Sequence, residues 1–146
     1  MLPSFVLDCS VTLPWFFEDE TDGYADAVLH LLAREEATTP ALWILEVVNG
    51  LLGAERRGRL SAEDVTSALA MLAELDIAVE QQSSVSTAVL AVAKEYGLTA
   101  YDAAYLELAM RENLPVATND RDLAKAATRA GVDTLRVPPD AQRPVR

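Results

Sequence analysis

The sequence predicts an α/β fold of three layers, α/β/α, built on a short parallel sheet. Three observations carry that expectation. Short β-rich runs alternate with amphipathic helical stretches along the chain, the pattern of a parallel sheet covered on both faces. The first such run, Ser4-Phe5-Val6-Leu7, stops on a carboxylate, Asp8, as strands do when they feed a ligand crevice beyond the carboxyl edge of an open sheet. A late helix opening at Thr99 is apolar on nearly every side, so it belongs inside the structure.

Taken in order, Asp8-Cys9-Ser10 closes the first run. Ser10 and Thr12 supply helix-start hydroxyls, and Pro14 suits a first turn. Glu18 to Gly23 is an acidic turn. Tyr24 to Glu36 carries a helical stripe of Ala25, Val28, Leu29, Leu32 and Ala33, with His30 off the stripe and exposed. Thr38 to Leu42 is a short extended segment, because Pro40 disfavours helix before it. The next helix runs from Leu42 to Arg57 with Leu45, Val48 and Leu52 on one side. Glu46, Gly50 and Gly53 share another face, where glycines admit a close neighbour. Gly58 closes that helix.

Ser61-Ala62-Glu63-Asp64 is a capping start for a helix to Leu75, with Val65, Leu69 and Leu72 inward. Ile77-Ala78-Val79 reads as a strand. Ser83 or Ser84 then caps a helix that ends at Gly97. The central helix from Thr99 buries Ala103, Ala104, Tyr105, Leu106, Leu108 and Ala109. Leu114 to Thr118 is a brief strand, a helix runs on to about Ala130, and Val132 to Val137 gives a last strand.

The chain has 146 residues, the size of one domain with a proper core. We expect that domain over 1–137, followed by a short Pro- and Arg-containing tail over 138–146. Its 51% apolar and 24% charged residues are ordinary for a globular protein. No apolar run reaches bilayer length and no signal sequence opens the chain, so no membrane role and a cytoplasmic location are expected. A lone cysteine, Cys9, excludes an internal disulfide and Cys-rich zinc sites, and the lone His30 excludes His-based metal cages. The formal net charge of −11 argues against gripping nucleic acid through bulk positive charge. It suits instead a basic partner segment or a bound cation.

Four acids stand out by position. Asp8 ends the first strand, and Asp120 follows the strand before the last helix. Glu46 lies early in its helix and Asp102 lies in the first turn of the buried one. Like charges repel and raise one another's pKa, so carboxylates converge at one edge only where something positive compensates. Oxygen donors without His or Cys point to Mg2+ or Mn2+ rather than zinc. Each acid also has a local reading. Asp102 fits the capping pattern Thr99-x-x-Asp102, Asp120 or Asn119 can cap the last helix, and Glu46 can pair with an arginine or face water.

Several segments resemble the PIN domain, in its VapC-type toxin branch. They are Phe5-Val6-Leu7-Asp8-Cys9-Ser10, the stretch from Pro40 through Glu46 to Leu51, Leu98-Thr99-Ala100-Tyr101-Asp102-Ala103-Ala104-Tyr105-Leu106, and Pro115-Val116-Ala117-Thr118-Asn119-Asp120-Arg121-Asp122-Leu123. The stretch Glu55 to Ser61 is similar to the family's segment after its Glu-bearing helix. The resemblance covers about Phe5 to Val137, and the order Asp…Glu…Asp…T-x-D is its most specific feature. It implies a PIN-like fold and a Mg2+-dependent endoribonuclease toxin, Mn2+ being the other candidate ion. Asp8, Glu46, Asp102 and Asp120 would form the acidic site, with Asp8 and Asp102 as direct metal ligands. Ser10 and Thr118 would support them, and Asp122 would be an outer acid. It further implies a cognate antitoxin with a basic inhibitory segment and a homodimer. Trp15 and Trp43 could serve either that dimer's patch or the core, and Arg56, Arg57 and Arg59 either RNA or a solvated helix end.

Three rivals were weighed. A haloacid-dehalogenase-type phosphotransferase needs a second Asp two residues after the first and a downstream Lys, but position 10 is Ser10 and no Lys precedes Lys94. A receiver-type phospho-acceptor fails similarly for want of an acidic pair. The remaining alternative is a non-catalytic PIN-like protein-interaction module whose acids are structural.

Overall fold

The computed structural model describes residues 2–81 and 86–137. Its sheet has the order β3-β2-β1-β4, with every neighbouring pair parallel. β1 is Pro3–Leu7, β2 Glu36–Thr39, β3 Ile77–Val79 and β4 Val116–Ala117. The helices are α1 (Cys9–Thr12), α2 (Gly23–Leu31), α3 (Leu42–Arg56), α4 (Ala62–Glu74), α5 (Ser86–Tyr96), α6 (Ala100–Glu112) and α7 (Arg121–Arg129). A 3-10 turn over Leu13–Phe16 follows α1, with Pro14 in its first turn as the sequence suggests.

Phe5, Val6 and Leu7 are wholly excluded from solvent, as expected of an interior strand with helices above and below. The chain leaves β1 toward β2 and β3, then crosses back through α5 and α6 to β4 on the other side of β1. Right-handed crossovers then place α1 to α4 on one face and α5 to α7 on the other. The packing agrees: α1 meets α2 and α3, α3 meets α4, and α6 meets both α5 and α7. The reversal of direction between β1 and β4 is the topological switch point, where the loops after neighbouring strands part and leave room for a ligand.

Four readings of the sequence need correction. The first helix of that stripe ends at Leu31, not Glu36. Leu32 is buried in the turn that follows, so the apolar stripe outlasts the helix. The segment around Thr38 and Thr39 is a full interior strand, β2, held between β1 and β3 by its β-branched residues and both ladders.

On α3 the buried residues are Trp43, Val47, Leu51 and Ala54, whereas Leu45 is 71% and Val48 37% exposed. The helix is apolar on several sides, so periodicity alone admits two faces. The choice is tertiary. Trp43 donates its indole N–H to buried Thr12 at 3.0 Å, and a side chain at Gly50 would collide with Leu13. Finally, the expected strand over Val132 to Val137 is a single parallel bridge between Thr134 and Val116.

Elsewhere the caps match. Ser61 and Asp64 form a reciprocal capping box, and Gly58, Gly97 and Gly131 take the positive φ that ends a helix. The expected Ser83 or Ser84 cap and the tail over 138–146 lie outside the described residues. Among the described residues no helix is long and apolar enough to cross a membrane.

The corrected face of α3 is directly testable. Leu51→Ala should cost about 2–5 kcal/mol by opening a core cavity, read as a lower urea midpoint at unchanged slope. Leu45→Ala on the same helix should stay within about 0.5 kcal/mol of wild type. Equal losses from the two would contradict the packing.

Candidate active site

Asp8 sits at the carboxyl end of the central strand and is only 4% exposed. Its amide continues the ladder, donating to the carbonyl of Ala117 at 3.0 Å, so the ends of β1 and β4 are locked side by side. Asp8 occupies the N-cap position of α1, but its side chain makes no capping bond. Its carboxylate is held by two hydroxyls instead. Ser10 Oγ donates to Oδ2 at 2.6 Å and Thr118 Oγ1 donates to the same oxygen at 2.7 Å.

Each hydroxyl is itself aimed by the loop after β4. Ser10 Oγ accepts the Asn119 amide at 2.9 Å, and Thr118 Oγ1 accepts the Asp120 amide at 2.9 Å. Because a hydroxyl that accepts an amide has its own proton free to give, both protons are directed at Asp8. Asn119 Nδ2 also donates to Asp22 Oδ2 at 2.7 Å, tying this loop to the N-cap of α2.

The other acids arrive from three helices. Asp102 stands in the first turn of α6. Thr99 Oγ1 accepts its amide at 3.2 Å, yet the reciprocal bond seen at Ser61 and Asp64 does not form. Among the described residues the Asp102 carboxylate accepts no hydrogen bond, so the capping pattern does not account for it. Asp120 does cap, accepting the Leu123 amide on Oδ1 at 3.0 Å. Glu46, half-buried on α3, accepts the Tyr105 hydroxyl on Oε1 at 2.6 Å. Asp122 is exposed in the first turn of α7.

Electrostatics shows that these groups share one field. Burial first, then the charges of Asp120, Asp8, Glu46 and Asp122, push the Asp102 carboxyl up to about 6. Asp8 is raised by burial and by Asp120, against the lowering effect of the Ser10 and Thr118 hydroxyls and the Cys9 amide. Glu46 is raised by burial and by Asp8, against the Tyr105 hydroxyl. Cys9 beneath them is buried, and burial with the Glu46 and Asp8 charges pushes its thiol up to about 12, so it is no nucleophile.

No lysine or arginine forms an ion pair with these acids among the described residues. Among the described residues the ion pairs involve Arg59 with Asp19 and Glu20, and Arg111 with Glu80, Glu107 and Glu112, none of them at the site. Helix amino ends offer partial compensation, since Asp8, Asp102 and Asp120 all lie at the start of a helix.

An all-carboxylate donor set with unrelieved repulsion fits a hard divalent cation. Among the described residues no three donors already stand close enough to hold one as a closed cage.

The structure therefore brings Asp8, Glu46, Asp102 and Asp120 within electrostatic reach of one another, with Ser10 and Thr118 on Asp8 and Asp122 at the margin. It adds two residues. Asn119, read from the sequence only as a helix cap, aims Ser10 and anchors the loop. Tyr105, read only as core, holds Glu46. Its place three residues after Asp102 on one helix was the available signal.

Arg59 is engaged with Asp19, Glu20 and the ring of Phe17. Arg56 and Arg57 stand at the far end of α3, roughly 15 Å along the helix from Glu46. Trp43 is 2% exposed and belongs to the core.

Comparison with known proteins bears on the family and the fold. The family model described as the PIN domain matches residues 5–129. The chain is 30% identical over 122 residues to Ribonuclease VapC3 of Pyrobaculum aerophilum, covering 82% of this chain and 92% of that protein. It superposes on the crystal structure of PAE2754 from Pyrobaculum aerophilum with a TM-score of 0.62 and 25% identity, over 85% of this chain and 84% of that one.

The raised carboxyl of Asp102 makes a signed prediction. With its folded pKa pushed up to about 6 from the ordinary 3.8, its stabilising neutral form is fully present below about 4 and is lost as pH rises through about 6. Asp102→Asn keeps a neutral group at every pH. In chelator near pH 7.5 the variant should therefore melt higher than wild type, and the gap should narrow as pH falls through about 6 and close below about 4. Millimolar Mg2+ should raise the melting temperature of wild type more than that of the variant. A variant that melts lower in chelator would refute the repulsion.

Proposed function

We propose that this chain, which belongs to the PIN-domain family, is a divalent-metal-dependent endoribonuclease toxin. It hydrolyses RNA phosphodiesters by attack of water and is held inactive by a cognate antitoxin. The observation that carries the reading is the gathering of Asp8, Glu46, Asp102, Asp120 and Asp122 at the switch point, with none of these acids in an ion pair among the described residues. The likeness to Ribonuclease VapC3 supports RNA as the substrate and the toxin role.

Asp8 and Asp102 would be the direct ligands of Mg2+ or Mn2+. Asp8 is fixed by two hydroxyls, and Asp102 spends no lone pair on local structure. The bound ion would supply charge neutralisation at the scissile phosphate and a water acidic enough to attack near neutral pH. Glu46 and Asp120 each give one oxygen to a protein donor and keep the other for the waters around the phosphate. There they would orient the nucleophile and accept its proton. With Cys9 buried and protonated, no side chain here suits a covalent route. Hydrolysis would leave a 5′-phosphate and a 3′-hydroxyl.

The same unrelieved acids suit an antitoxin whose basic side chain enters the site and supplies the missing positive charge. The protein would act in the cytoplasm as a homodimer. Since Trp43 is core, the exposed apolar side chains available for such a contact among the described residues include Leu45, Leu90 and Tyr101, exposed by 71%, 54% and 65%.

The deciding experiment compares wild type with Asp8→Ala on RNA, with Mg2+ and with chelator. Wild type should cleave only with the cation, and the variant should lose about two orders of magnitude or more. Equal cleavage by both proteins would overturn the assignment. A folded wild type that cleaves nothing under any divalent cation would favour the interaction-module alternative.

A further inference from the structure

We propose that Tyr105 is a positioning residue for this site, which fixes Glu46 in place through its hydroxyl so that Glu46 acts through one remaining oxygen. The inference rests on the nuclease reading above and deepens it.

Tyr105 is completely buried, and its ring is wedged in the core of α6. Its hydroxyl reaches Glu46 Oε1 at 2.6 Å, a short distance that marks a charge-assisted bond. Asp102 lies three residues earlier on α6, so both side chains leave the same side of one helix. One rigid element thus carries a candidate ligand and the clamp on a second acid, although Glu46 itself comes from α3 on the other side of β2. The hydrogen bond ties the Glu46 carboxylate to the helix that carries Asp102.

A buried phenol needs some acceptor, and a backbone carbonyl would have met that need. The acceptor here is a half-buried carboxylate that the charges of Asp8 and Asp102 repel. A free glutamate in that position has three rotatable bonds and open water on one side, so repulsion would turn it outward. The Tyr105 hydroxyl offsets that repulsion without adding a positive charge. It also occupies Oε1, which leaves Oε2 as the oxygen available to a cation's water. An ion that demands near-octahedral geometry is sensitive to such placement.

Tyr105→Phe removes one oxygen and keeps the ring. Three measurements are made on wild type, Tyr105→Phe, Glu46→Gln and the double variant: melting temperature in chelator, calorimetric Mg2+ titration, and steady-state RNA cleavage. We expect Tyr105→Phe to stay folded, to lower kcat about tenfold or more with KM within about twofold, and to weaken Mg2+ binding severalfold. In the Glu46→Gln background the same change should add nothing, because Tyr105 acts only through Glu46.

Wild-type kcat and Mg2+ affinity in Tyr105→Phe would overturn the proposal. So would a full, additive loss in the double variant, which marks a purely structural role. If wild type cleaves no RNA but binds Mg2+, the nuclease reading fails while the titrations still decide the role of Tyr105. If wild type does neither, both fall.

Discussion

Everything at this site depends on how negative charge is held together without positive charge. Asp8, Glu46, Asp102 and Asp120 meet at one edge of the sheet, and each carboxylate makes its neighbours harder to ionise. The fold meets that cost with neutral donors and helix ends. Ser10 and Thr118 donate hydrogen bonds to Asp8, Tyr105 donates one to Glu46, and the Leu123 amide donates to Asp120. These bonds fix geometry, and the hydroxyls work against the raised pKa of Asp8 and Glu46, yet they leave the total charge intact. A lysine in the same place would have bound more tightly and removed the reason for a cation to enter.

The sheet order is what makes this arrangement available. Because the chain leaves β1 to one side and returns to β4 on the other, the loops after these two strands diverge above their shared ladder. Asp8 and Thr118 are adjacent as a consequence of register: Val6 pairs with Val116 and Leu7 with Ala117, so the next residue on each strand emerges at the same height. The completely buried Phe5, Val6 and Leu7 hold that register, since a slip of one residue would swap each side chain onto the opposite packed face, where it does not fit. The precision of the acidic edge is therefore inherited from hydrophobic packing two residues below it.

Much of this was legible in the sequence, for identifiable reasons. The alternation of strands and helices predicts the parallel sheet, and the four acids are marked by where they fall relative to element ends. The hydroxyls at Ser10 and Thr118 were legible only through resemblance, because the contact joins residues 108 positions apart. The face of α3 was not legible at all. Leu45 and Val48 look as buried as Val47 and Leu51 until Thr12 and Leu13 arrive from another element to choose between them. The role of Tyr105 was hidden for a related reason. In a helix apolar all round, a tyrosine reads as bulk, and only the location of its oxygen distinguishes a core residue from a clamp.

The net charge of −11 now has a more specific meaning. A polyanionic substrate is repelled by such a surface at long range, and Arg59 is already spent on Asp19, Glu20 and Phe17. On the nuclease reading proposed above, affinity for RNA would come from close contacts at the acidic site rather than from a basic groove. If the site takes a cation, as proposed above, the repulsion among its carboxylates would favour a hydrated metal ion and a basic side chain of a partner alike, and the two would compete for the same oxygens.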